Sequence, residues 1–132
     1  MSILDEVETG MNPGPVRMNV GGTDGIGKTT FAAGAPKPIF IKTEEGTRYV
    51  NTSSFPLCES FEDIMHRLKQ LVQEEHDFKT VVLDTTDWAE KLVQEEVARQ
   101  KNEKSIEDIG FGKGYTMAAE GFSKILRAMD VL

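Results

Sequence analysis

A single cysteine, Cys58, stands among 132 residues, so no intramolecular disulfide can form. No apolar run approaches the roughly 18 residues that a membrane-crossing helix needs. The opening "MSILDEVETGMNPGP" has neither the basic start nor the apolar middle of a secretory signal. These absences point to a cytosolic setting with no membrane partner. Basic residues are also scarce: 15 Lys and Arg face 22 Asp and Glu, for a net charge of −7. That balance disfavours a chain whose main task is to wrap nucleic acid with a basic surface. Cys58, His66 and His76 lack zinc-binding spacing, and the two histidines are expected on a solvated helix face.

What is present is enough apolar sequence for one core, and therefore one domain. Residues 1–15 mix acids with Gly10, Gly14, Pro13 and Pro15 and read as a flexible leader; the domain spans 16–132. Apolar and polar residues alternate imperfectly over 16–19, which predicts a short strand running into glycines. A helix is expected from Lys28 until Gly34 and the prolines at 36 and 38 stop it. A second strand is expected at 39–42. Ser60 is placed to cap a helix carrying Phe61, Ile64, Met65, Leu68, Leu71 and Val72 on one face.

"FKTVVLD" has the length and composition of a buried parallel strand ending in a carboxylate. A helix over 86–102 follows, with Trp88, Leu92, Val93 and Val97 as its apolar positions. "SIEDIGFGKGY" reads as a glycine-punctuated loop, and a last helix is expected from Tyr115 with Phe122, Ile125, Leu126 and Met129 on one face. Strands alternating with helices predict an α/β domain with a parallel sheet.

The glycine-rich stretch "GGTDGIGKTT" carries the chemistry. Gly22, Gly27, Lys28 and Thr29 fit G-x-x-x-x-G-K-[ST], a coincidence expected by chance in roughly 1% of chains of this length. The glycines let Gly22, Thr23, Asp24, Gly25, Ile26 and Gly27 turn backbone N–H groups around a β-phosphate, with Lys28, Thr29 and Thr30 opening the helix behind it. Lys28 would reach the β- and γ-phosphates, and the Thr29 hydroxyl would ligate Mg²⁺. The alternative is a flexible turn, disfavoured by the flanking strand and helix signals.

Asp84, ending "TVVLD", suits the second metal position; it also fits a helix N-cap. Glu44, and its neighbour Glu45, follow the second strand, so either would face the same sheet edge as Asp84 and orient an attacking water. A solvated acidic turn "TEEGT" competes with that reading. Trp88 reads as core rather than an adenine platform, and Lys113 as part of a mobile loop. Arg48 and Arg127 could each act on a neighbouring active site, and nothing in the sequence selects either.

Together, "GTDGIGKTTFAAGAPKPIFIKTEEGT", "TVVLDTTDWAEKLVQEEV" and "KSIEDIGFGKGY" closely resemble phage-encoded RecA-like AAA-type ATPases of single-strand annealing and recombination, over about residues 16–130. The resemblance implies a three-layer P-loop NTPase fold. It implies ATP and Mg²⁺ as ligands, Asp84 as the Walker B acid, Glu44 above Glu45 as the water-activating glutamate, and a homo-oligomer working on single-stranded DNA in the host-cell cytoplasm. Two departures accompany it. Lys42 replaces a usual aspartate and could pair with Glu44. The sequence also stops in the helix that should precede a further strand, so the core is expected to be incomplete at the C-terminus, leaving 16–19 and 81–83 without a shared neighbour. A non-catalytic nucleotide-binding module or an inactive fragment is the competing reading. A GTPase would carry N-K-x-D, which "KNEK" at 101–104 does not match, and a small-molecule kinase would carry an arginine-rich lid.

Overall fold

Residues 2–11 and 13–132 are described by the computed structural model; Met1 and Asn12, both in the expected leader, lie outside the described residues. The sheet is built around β1, Pro38–Lys42, where Ile39, Phe40 and Ile41 are buried in succession. A strand apolar at consecutive positions must be covered on both faces and flanked on both edges. β1 accordingly lies in the middle, between β2, Ser53–Ser54, and β3, Thr80–Asp84, and pairs in parallel with both. The register sets Ile39 beside Val81, Phe40 beside Val82, Ile41 beside Leu83 and Lys42 beside Asp84. The ends of β1 and β3 therefore reach the same edge together.

Helices supply the rest of the core. α1 is short, Lys28–Ala33. α2, Phe61–Gln73, begins where Ser60 Oγ accepts from the Asp63 N–H at 3.1 Å, with Glu62 and Asp63 favourably placed in the first turn. Its Ile64, Leu68 and Leu71 are buried. α3, Thr86–Gln100, buries Ala89, Val93, Val97 and Ala98; α4, Lys113–Val131, buries Gly114, Ala118 and Ile125 and packs on both α2 and α3. Ile39 and Ile41 of β1 join these helix residues in one apolar cluster. Each fully buried aliphatic side chain there contributes about 1.5–3 kcal/mol.

Several expectations need correction. Residues 16–19 form no strand: the segment is irregular, with Val16, Met18 and Val20 all exposed, and the far edge of β3 has no partner among the described residues. Strand structure needs a ladder partner and a buried face, and this segment has neither. Arg17 Nε instead meets Asp130 Oδ1 at 2.8 Å, an exposed pair. Trp88 is not core. It is 45% exposed, with the Lys91 ammonium 4.2 Å from its ring centroid. Val72 and Leu126 likewise lie at the solvent margins of their helix faces. "SIEDIGFGKGY" folds into 3-10 turns at Ile106–Asp108 and Gly110–Gly112, and α4 starts two residues before Tyr115. The cause is local: Ile106 is buried, and the Tyr115 hydroxyl donates to Glu107 Oε1 at 3.0 Å.

Candidate functional site

The glycine loop turns where its sequence lets it. Gly25 and Gly27 have φ of +80° and +102°, left-handed values that side-chain-bearing residues resist. The Ile26 N–H donates to the Thr23 carbonyl at 3.3 Å, and the Phe31 N–H to the Gly27 carbonyl at 2.9 Å, so the chain passes from a tight turn directly into α1. A Cβ at Gly22 would lie 2.9 Å from Ile26 Cγ2, so a side chain there would displace the exposed Ile26 side chain. Lys28, first in the helix, folds back across the loop and donates from Nζ to the Gly22 carbonyl.

Thr29, one position on, points at the sheet. Its hydroxyl donates to Asp84 Oδ2 at 2.8 Å, joining groups 55 residues apart in the chain. Two hard oxygen donors side by side are the chemistry that suits Mg²⁺. β3 delivers Asp84 to this position, and the turn after β1 is fastened over it. The Thr43 N–H donates to the Asp84 carbonyl at 2.8 Å, the Thr43 hydroxyl donates to the Thr85 carbonyl at 2.8 Å, and the Thr85 N–H donates back to Thr43 Oγ1 at 2.9 Å. Asp84 therefore contributes its side chain to Thr29, while Thr85 takes the N-cap position of α3 that the sequence also allowed for Asp84.

Glu44 follows buried Thr43, is half-buried, and makes no hydrogen bond or ion pair among the described residues. Lys42 does not pair with it. The Lys42 ammonium reaches Glu45 Oε1 at 3.3 Å instead, because residues three apart curl together where β1 ends in a turn. Arg48 and Tyr49 are exposed on that turn, and Thr47 is buried beneath it.

The remaining candidates lie apart from this edge. Cys58 is buried beside β1, its N–H donating to the Lys42 carbonyl at 2.9 Å; burial pushes its thiol up to about 11. His66 is exposed on α2 as expected, whereas His76 is exposed beyond the end of that helix and not on its face, its Nε2 2.9 Å from the Leu71 carbonyl. Lys113 opens α4 behind Gly112, whose φ is +71°. Glu107 has its carboxyl lowered by the Ser105 hydroxyl first, then by its own backbone and by Tyr115, whose phenol is raised in return. Two residues at the site escaped the sequence patterns, Thr43 and Gly46. The only signal for either was their place on the turn that follows a strand.

A glycine loop leading into a helix, with its threonine on a carboxylate at the end of a parallel strand, is consistent with a P-loop NTPase-like fold. A family model described as an AAA domain matches residues 14–132, and the chain belongs to that family. No curated protein and no solved structure matches the chain. Membership points to nucleotide binding and ATPase activity. Among the described residues no helix is long and apolar enough to cross a membrane.

Proposed function

We propose that the chain binds ATP with Mg²⁺ in the loop at residues 22–30 and hydrolyses it, as a RecA-like ATPase of phage DNA recombination. The observation that carries the nucleotide reading is the 2.8 Å hydrogen bond between Thr29 Oγ1 and Asp84 Oδ2. A hydroxyl from the loop and a carboxylate from a separate strand have no reason from local sequence to meet, whereas a metal site of this class requires it. Thr29 and Asp84 hold Mg²⁺ in this reading, which when bound neutralises developing charge on the phosphates. Lys28 leaves the Gly22 carbonyl for the β- and γ-phosphates, and backbone N–H groups of the loop surround the β-phosphate. Glu44, with no competing partner among the described residues, orients the attacking water.

The recombination setting is supported by the likeness of the "SIEDIGFGKGY" segment and carries with it a homo-oligomer acting on single-stranded DNA in the cytoplasm of the host. Isothermal titration with ATP, followed by phosphate release with and without single-stranded DNA, tests both levels. Binding, turnover and stimulation by the DNA are expected. Binding without turnover from folded protein favours a non-catalytic module, and no binding removes the nucleotide site.

A further inference from the structure

The turn that leaves β1 passes over the Thr29–Asp84 pair, and Gly46 is the residue that faces it. A Cβ on Gly46 would stand 3.4 Å from Thr29 Oγ1 and 3.5 Å from Asp84 Oδ2. Backbone conformation does not account for glycine at this position. The left-handed glycines among the described residues are Gly10, Gly25, Gly27 and Gly112, and Gly46 is not one of them. Steric exclusion does not account for it either, because 3.4–3.5 Å is ordinary van der Waals contact, so an alanine fits against the hydrogen-bonded pair. What a methyl group removes is free volume beside two oxygens. Mg²⁺ keeps several waters in a near-octahedral shell and parts with them reluctantly, so it needs such volume next to its protein ligands.

The turn is anchored on both sides of Gly46. Thr43 and Thr47, on either side of Gly46, are 7% and 8% exposed. Thr43 is held by its three hydrogen bonds to Asp84 and Thr85, and Thr47 accepts from the Val50 N–H at 3.0 Å. A side chain at position 46 therefore stays over the pair.

We propose that Gly46 is a positioning residue of the site, its missing side chain keeping open the space that hydrated Mg²⁺ needs beside Thr29 and Asp84. This rests on the reading of residues 22–30 and Asp84 as an ATP–magnesium site. The role separates metal from nucleotide, because a Cβ at 46 meets the loop only at the Thr29 hydroxyl and reaches none of its backbone within 4 Å.

The test uses the full chain and a fluorescent ATP analogue, titrated once in EDTA and once in Mg²⁺, together with electron paramagnetic resonance of Mn²⁺ in the presence of ADP. In Gly46→Ala the EDTA affinity and the thermal midpoint match wild type within about twofold and about 2 °C. The gain in affinity on adding Mg²⁺ falls at least about tenfold, and the bound-Mn²⁺ signal weakens in parallel. Gly46→Ser, which places the same Cβ with a polar cap, shows the same split. Full retention of the Mg²⁺ gain and of bound Mn²⁺ in both variants overturns the proposal, as does an equal loss with and without metal. Failure of wild type to bind the analogue in either condition removes the nucleotide reading itself, and is told apart by wild type alone.

Discussion

Glu44 and Glu45 are neighbours with the same chemistry, yet the fold gives them different tasks. Glu45 is taken up by Lys42, at 3.3 Å, while Glu44, which follows the strand end that lies beside Asp84, has no partner for its carboxylate among the described residues. A residue that orients water must have an uncommitted acceptor near the reacting phosphate. Glu44→Gln is therefore expected to lower phosphate release by about 10²–10⁴-fold with ATP affinity kept, and Glu45→Gln by less than about threefold. Steady-state phosphate release beside equilibrium binding decides between them; equal losses would remove the distinction. Cys58 supplies a residue-scale prediction about pH. Its folded value, about 11, lies above the ordinary 9.0, so the folded state holds a proton that the unfolded chain releases. The stability linked to this thiol is whole below pH 9 and is lost as pH rises towards 11. Urea midpoints between pH 8 and 10.5 should fall more steeply for wild type than for Cys58→Ala, and parallel slopes would refute it.

At the scale of elements, legibility followed the number of independent signals. α2 had a capping residue and a six-position apolar face, and it forms from Phe61 as expected. Ser60→Ala leaves the Asp63 N–H without its acceptor and should cost about 1 kcal/mol in denaturant unfolding, whereas Val72→Ser, at the exposed margin, should fall within about 0.5 kcal/mol of neutral. β1 and β3 were legible as strands because parallel strands are short and continuously apolar, but β3, with no partner on its far edge among the described residues, is half-buried throughout and not buried as expected. Residues 16–20 had only alternation, which is a property of one face; pairing depends on a neighbour, and sequence period says nothing of neighbours. Trp88 was misread for a related reason, since hydrophobicity alone cannot tell a core position from an exposed one whose ring face meets the Lys91 ammonium. The site divides in the same way. Gly22 to Thr30 and Asp84 lie in patterns with fixed spacing or at a strand end, while Thr43 and Gly46 act through contacts made only after β1 and β3 align. Gly114 belongs with them: a Cβ there would overlap the Ile106 carbonyl, so Gly114→Ala should destabilise by about 1–3 kcal/mol.

For the molecule as a whole, the site and the fold are one object. Thr29 leads from the first helix and Asp84 closes the third strand, and their hydrogen bond joins positions 55 apart in the chain, across β1, β2 and α2. A ligand that engages both groups binds the folded chain and not the unfolded one, because unfolding separates them. Linkage then sets the size of the effect: ATP with Mg²⁺ at about 100 times its dissociation constant should stabilise by about 2.7 kcal/mol. For a domain of this size that corresponds to a rise of roughly 8–15 °C in the unfolding midpoint. Lys28→Ala, lacking the phosphate-facing ammonium, should show almost none of that rise while its midpoint without ligand stays near wild type, since Lys28 is half-exposed and its side chain makes one hydrogen bond among the described residues, to the Gly22 carbonyl. Thr29→Ala should keep a smaller rise in EDTA and lose the further increment that Mg²⁺ brings. Differential scanning fluorimetry with ATP, in EDTA and in Mg²⁺, reads all three proteins on one scale. An equal rise in wild type and Lys28→Ala would place the nucleotide somewhere other than the glycine loop.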